Sequence, residues 1–205
     1  MTKRTLAKFK VSRRLGINTW GKEKDPVNTK NYPNGQHGSS GRKMLSIYGK
    51  QLLAKQKLKA HYGNISEKQF VNIYKEASRK KGDTVTNLVS LLESRLDIIL
   101  FRANFAPSIF AARQLVSHRH ILVNGKVVNI ASFKVKVGDE ISIKTASQQM
   151  PIILESVKNQ ERNIPEYLNV DSGNFSSKFV RTPEVNEVPY PFKAEPNLII
   201  EFYSR

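Results

Sequence analysis

The 205-residue chain contains no cysteine, which removes disulfides, reactive thiols and cysteine-ligated zinc and fits a reducing compartment. Long apolar runs are missing too. Nothing approaches the roughly 18 consecutive apolar residues that a membrane-spanning helix needs, and the opening MTKRTLAKFKVSRRLG lacks the apolar core of a secretion signal. A soluble protein without membrane contact is expected. The first 20 residues hold no acidic residue, a faint organellar-targeting look and no more. Acidic residues are scarce throughout: 17 Asp and Glu stand against 34 Lys and Arg, a formal net charge of +17. A chain so basic seeks a polyanion.

What is present is unevenly spread. Residues 1–60 carry 15 basic and 2 acidic residues, residues 61–94 carry 5 and 4, residues 95–150 carry 8 and 3, and residues 151–205 carry 6 and 8. Residues 1–43 mix Lys and Arg with Gly, Pro and Asn without a sustained period, which predicts an extended, loop-rich basic arm. Such an arm has too little apolar surface to fold alone, so its order comes from packing or from a bound partner.

From Leu45 the pattern turns helical, with Leu45, Tyr48, Leu52 and Leu53 near one face and Lys50, Lys55, Lys57 and Lys59 as a charged rail, up to Gly63. Ser66 and Gln69 form a capping box for a second helix, whose stripe is Phe70, Ile73, Tyr74 and Ala77 and whose stop is Gly82. A third helix is predicted from Thr84 to Arg102 on Leu88, Leu91, Leu92, Leu96 and Ile99, and a fourth from the N-cap Ser108. The period then becomes two. HILV, Asn124-Gly125 and KVVN predict a hairpin with a type I′ turn. A further strand is expected at FKVKV, with Phe133, Val135 and Val137 inward, a turn at Gly138-Asp139, and Ile141 and Ile143 continuing inward. Past Lys144 the pattern weakens through a polar linker, an apolar patch at ILES and SV and a Pro-rich tail, and NLIIEFYSR predicts a last short strand.

Few residues invite chemistry. His118 and His120 could face one side of a strand, but a metal site needs another ligand nearby, and His37 and His61 lie in distant segments. The pair either caps the fourth helix or forms a polar edge suited to sugar and phosphate oxygens. Gly35, Gly38 and Gly41 could cradle a phosphate through backbone amides, yet the stretch lacks the Gly-Lys-Ser/Thr order of a nucleotide loop and no strand precedes it. Asp139-Glu140 is explained by a turn. No catalytic set, cofactor or metal is expected, and no small-molecule substrate.

The stretch LLESRLDIILFRANFAPSIFAARQLVSHRHILVNGKVVN resembles the S4 RNA-binding domain. SRRLGINTWG, GQHG, LSIYGKQLLAKQKLKAHYGNISEKQF and IIEFYSR extend the likeness over nearly the whole chain to the bacterial-type small-subunit ribosomal protein S4 family. The resemblance implies an α+β fold: a helical N-terminal domain with an extended basic arm, plus a small S4 domain of two helices packed on a short antiparallel sheet. The divisions expected are 1–43 for the arm, 44–93 for the helical part, 94–157 for the S4 domain and 158–205 for a segment packing back on the N-terminal domain. It also implies a non-enzymatic structural constituent of the small subunit, bacterial rather than organellar and cytoplasmic on the ribosome. Its ribosomal RNA target would be a multi-helix junction in the five-prime domain, bound early in assembly, with ribosomal protein S5 and incoming messenger RNA as neighbours and an influence on translational accuracy. The RNA-binding residues so implied are Lys3, Arg4, Arg13, Arg14, Gln36, His37, Lys43, Lys50, Lys55 and Lys57 in the N-terminal part. In the S4 domain they are Arg95, Arg102, Arg113, Gln114, Ser117, His118, Arg119 and His120, with Asn124 and Lys126 at the turn.

The sequence departs from the family pattern at three places. Arg119 replaces a glycine between the two histidines, Ala131 stands where a proline is usual, and GQHGSSGRK is less basic than the ordinary run. Members with a cysteine-ligated zinc in the arm have no counterpart in a chain without cysteine. Two other readings compete: an RNA-modifying enzyme with an appended S4 domain, and a basic nucleoid-type protein that binds duplex DNA by charge alone.

Overall fold

A computed structural model describes residues 7–40 and 44–204. Two compact units emerge, one of residues 1–70 and 190–205 and the other of residues 71–189. The fold is α+β.

In the first unit, α1 (Lys8–Leu15) buries Val11 and Leu15 and ends at Gly16, whose left-handed φ of 70° closes it through a bond from its N–H to the Ser12 carbonyl. Arg13 and Arg14 occupy its last turn, where cations favour the carbonyl end of the dipole. The expected arm therefore contains a helix, and it follows i, i+4 burial too brief to read as a period. After it the chain loops through buried Trp20 and Val27. Arg13 ties this loop down by donating to the carbonyls of Tyr32 and Pro33. A Cβ at Gly38 would lie 2.0 Å from the Pro33 carbonyl oxygen, so glycine is required there for close packing.

Helix α2 (Ile47–His61) starts at Ser46, whose hydroxyl accepts from the Gly49 N–H. Its buried face is not the expected one: Leu45 and Tyr48 are exposed, whereas Gln51, Ala54, Lys55, Leu58 and His61 are buried. The reason is α8 (Pro196–Tyr203), which packs along α2 and brings Glu201 within 2.9 Å of the Gln51 amide nitrogen. The last strand predicted at NLIIEFYSR is thus a helix. A short apolar run is ambiguous by period alone, and Pro196 at its first position was the helix-start signal. Helix α3 (Glu67–Arg79) opens on the capping box of Ser66 and Gln69, both bonds at 3.3 Å.

The second unit is built on α4 (Thr84–Glu93), α5 (Leu96–Arg102) and α6 (Ile109–Ser117). The single helix expected from Thr84 to Arg102 is broken at Ser94-Arg95, where Arg95 turns extended with ψ 138°. Long-range backbone bonds cause the break: the Leu96 and Asp97 N–H groups donate to the carbonyls of Phe133 and Ala131, and the Val135 N–H donates to Ser94. That pairing consumes the predicted FKVKV strand, which survives only as a bridge between Arg95 and Lys134. Val135 is buried as expected, but Phe133 and Val137 are exposed.

Among the described residues, five antiparallel strands form one sheet in the order β2-β1-β3-β5-β4. These are β1 (Ile121–Val123), β2 (Lys126–Val127), β3 (Glu140–Ile143), β4 (Leu168–Asp171) and β5 (Ser176–Phe179). Asn124 and Gly125 turn with φ of 49° and 75°, the type I′ geometry read from the sequence. Ile121, Ile141, Ile143 and Phe179 point into the core with Leu92, Leu96, Ile99 and Phe105. The β4-β5 hairpin and α7 (Pro151–Asn159) fall in the stretch where the sequence pattern weakens, α7 on the apolar patch. Both carry local signals: Asp171 accepts from the Gly173 and Asn174 N–H groups, and Pro151 opens its helix.

Candidate nucleic-acid interface

Charge separates the two units before any geometry is considered: the first holds 18 basic and 5 acidic residues, the second 16 and 12. Burial then sorts the candidate cations. Lys3, Arg4 and Lys43 lie outside the described residues.

Three candidates point inward. Arg102 grips Glu93 with two bonds of 2.9 and 3.1 Å, and the Glu93 carboxylate, fully buried, also accepts from the Tyr167 hydroxyl at 2.8 Å. Arg102 donates further to the Pro189 carbonyl. Arg95 grips Asp97 in the same two-bond way at 2.9 and 3.0 Å, and Asp97 is likewise fully buried. Lys55, its side chain 8% exposed, donates to Glu67 at 2.7 Å and lies 4.2 Å from the Phe202 ring centre. Buried charges must be paired, and these three are consumed in pairing. Arg95, Arg102 and Lys55, expected at the RNA, are thus buried and paired within the fold. Arg113 straddles the divide, since its Nε donates to Asp97 at 2.7 Å while its side chain remains 24% exposed.

The outward set has two locations. In the first unit Arg14, Gln36, His37 and Lys50 are exposed, while Lys57 and Arg13 are half-buried; Lys10, Lys24 and Lys30, not singled out from the sequence, are exposed in the same unit. In the second unit the last turn of α6 and its continuation bring Gln114, Ser117, His118, Arg119 and His120 together. The residue spacing on one helix end does this, helped by Ser108, whose hydroxyl caps the start. Gln114, His118 and Arg119 are exposed, and the two imidazole centres lie 6.1 Å apart. His120 Nδ1 is 2.8 Å from the Ser147 hydroxyl, so it belongs partly to the local scaffold. The Ser117 hydroxyl donates to the Gln114 carbonyl.

Arg119 adopts φ 64°, a left-handed conformation that costs an L side chain on the order of 1–2 kcal/mol. Asn124 is occupied: its amide donates to Asp139 and its carbonyl accepts from the Glu140 N–H, pinning the hairpin turn. Lys126 is exposed on β2. Between α6 and α7 a cleft is lined by Ala111, Gln114, Leu115, His118, His120, Met150 and Ile152. Arg162 was missed by sequence reasoning. It stacks 4.1 Å from the Phe101 ring centre and donates to the Ala106 carbonyl, and burial, opposed by Glu161, lowers its pKa to about 10. Among the described residues no cluster of three metal-ligating side chains occurs, and no helix is long and apolar enough to cross a membrane.

Family comparison agrees with this architecture. Residues 3–93 match the ribosomal protein S4/S9 N-terminal domain and residues 94–141 match the S4 domain. The chain is 56% identical to a protein of Xanthobacter autotrophicus, 57% to one of Azorhizobium caulinodans and 55% to one of Paracoccus denitrificans, each over 205 residues and the full length of both chains. All three bear the name small ribosomal subunit protein uS4. A basic two-unit α+β protein carrying an S4 module defines an RNA-binding class; the chain belongs to the uS4 family of small ribosomal subunit proteins, which are structural proteins and not enzymes.

Proposed function

We propose that the protein is a structural constituent of the small ribosomal subunit that binds its RNA through the outward set of both units, engaging a multi-helix junction of the five-prime domain early in assembly. The carrying observation is the sorting of cations: the buried Arg95, Arg102 and Lys55 are paired internally, whereas Arg14, Lys50, His118, Arg119 and Lys126 are exposed and Arg113 is partly so. A folded basic surface suits recognition by backbone shape better than reading bases in a deep A-form groove. Contact with ribosomal protein S5, proximity to incoming messenger RNA and an effect on accuracy belong to the same reading and rest on family membership. So does the motif-based division of the chain at residues 43, 93 and 157, and a place on the ribosome in a bacterial cytoplasm.

The test is competition binding at near-physiological salt. Labelled five-prime domain RNA is challenged with excess unrelated structured RNA and with duplex DNA. Retention against both is expected. Equal displacement by both would reduce the protein to a nonspecific polycation.

A further inference from the structure

The turn after α6 combines two features. One is the cleft, with Leu115 of α6 facing Met150 and Ile152 at the start of α7, and Gln114 and His118 on its rim. The other is Arg119, held at φ 64° where glycine would sit without strain. That conformation closes the helix, with the Arg119 N–H donating to the Val116 carbonyl and the His120 N–H to the Leu115 carbonyl, a stop at which glycine is the ordinary residue. The Arg119 side chain is exposed and has no ion-pair partner among the described residues, so nothing in the fold calls for an arginine there in place of glycine.

We propose that this turn is a nucleotide subsite: the cleft takes one unstacked base of the bound RNA, and the Arg119 guanidinium takes that nucleotide's phosphate. The inference deepens the RNA-binding reading above and rests on it. Its chemistry follows from what lines the cleft. Leucine, methionine and isoleucine offer an apolar bed to a flat base, whereas a solvated helix face would offer none. The Gln114 amide supplies both a donor and an acceptor to a base edge, and the exposed His118 ring supplies a stacking or hydrogen-bonding partner. The phosphate cannot be held by the helix itself, because α6 ends here and presents carbonyls rather than N–H groups. A side-chain cation is needed, and Arg119 stands there. Sequence-tolerant stacking of splayed bases is the usual way proteins grip unpaired RNA. A continuous duplex would leave the cleft empty, so the occupant is a base at a junction or bulge.

Three variants of the full chain test this against labelled five-prime domain RNA. Arg119→Gly should raise Tm by about 2 °C through relief of strain and weaken RNA binding roughly 5- to 10-fold through loss of a charge-assisted bond. Opposite signs on stability and affinity are the signature. Ala111→Phe, which fills the cleft, should weaken binding while leaving the log-log salt slope unchanged, because a base contact releases no counterion. His118→Ala, at an exposed position, decides the matter if the phenylalanine variant is misfolded, and should behave the same way. If Ala111→Phe and His118→Ala bind like the parent, or if Arg119→Gly lowers Tm, the subsite is overturned while the ribosomal reading stands, provided the parent still resists duplex DNA. If the parent itself is displaced by duplex DNA, the ribosomal reading fails and the subsite fails with it.

Discussion

Helix α5 with its flanking residues and the turn after α6 carry the same kind of residues, and family resemblance nominates both for RNA contact. The structure treats them oppositely. Around α5 two arginines are answered by two fully buried carboxylates, Arg102 by Glu93 and Arg95 by Asp97. After α6 Arg119 has no ion-pair partner among the described residues, and Gln114, His118 and Arg119 stay exposed. Whether an arginine is buried or exposed here follows whether a desolvated carboxylate faces it. Arg113 lies on the border, with one nitrogen on Asp97 and the rest of the group partly in solvent.

The contrast can be broken most forcefully from the inside. Arg102→Ala leaves the Glu93 carboxylate buried without its guanidinium, the Tyr167 hydroxyl still donating to it, and should cost about 3–5 kcal/mol of stability. Urea denaturation would read it, and binding of the folded fraction should be unaffected. Arg113→Ala is intermediate. It should weaken RNA binding by about 1–2 kcal/mol and still fold, because Asp97 keeps its two bonds from Arg95. An undiminished affinity would remove Arg113 from the surface.

A smaller effect belongs to the inward lysine of α2. At Glu67 burial raises the carboxyl pKa, but hydrogen bonds from Lys55, Lys59 and Tyr203 outweigh it and lower it from 4.5 to about 2. The folded value lies below the unfolded one, so the stabilisation is present above pH about 4.5 and is lost as pH falls toward about 2. Since Glu67 is nearly half exposed, the loss should be only about 1 kcal/mol after solvent screening. Glu67→Gln should flatten that acid limb in a pH-stability titration. Smallest of all, Lys50→Ala at an exposed helix position should leave unfolding within about 0.5 kcal/mol of the parent, while reducing the log-log salt slope of RNA binding by about 1.

The same contrast separates what the sequence makes legible from what only the fold imposes. Signals that act within a few residues were legible: the Ser66–Gln69 capping box, the Ser108 N-cap and the Asn124-Gly125 turn all form as the sequence predicts. Features imposed from a distance were not. The apolar stripe from Leu88 to Ile99 runs unbroken through Ser94-Arg95, because the break is made by backbone groups some forty residues on, at 131–135. The exposed face of α2 was misjudged because its partner, α8, was read as a strand. Within the site, exposure of the α6 turn follows from its position at a helix end, whereas the inward turn of Arg95 and Arg102 depends on tertiary packing. Glu93 and Asp97, alternating with Arg95 inside an apolar stripe, were the available hint, since charges in a buried stripe must be paired.

The most direct test is the salt dependence of binding to five-prime domain RNA by a triple variant, Arg14→Ala with Lys50→Ala and Arg119→Ala, compared with the parent. Each outward cation that neutralises a phosphate contributes roughly 0.7–0.9 to the slope. A slope lower by about 2–3, with an unchanged unfolding curve, is the expected result. An unchanged slope would mean that these exposed cations do not meet the RNA, and that burial is the wrong criterion for finding the ones that do.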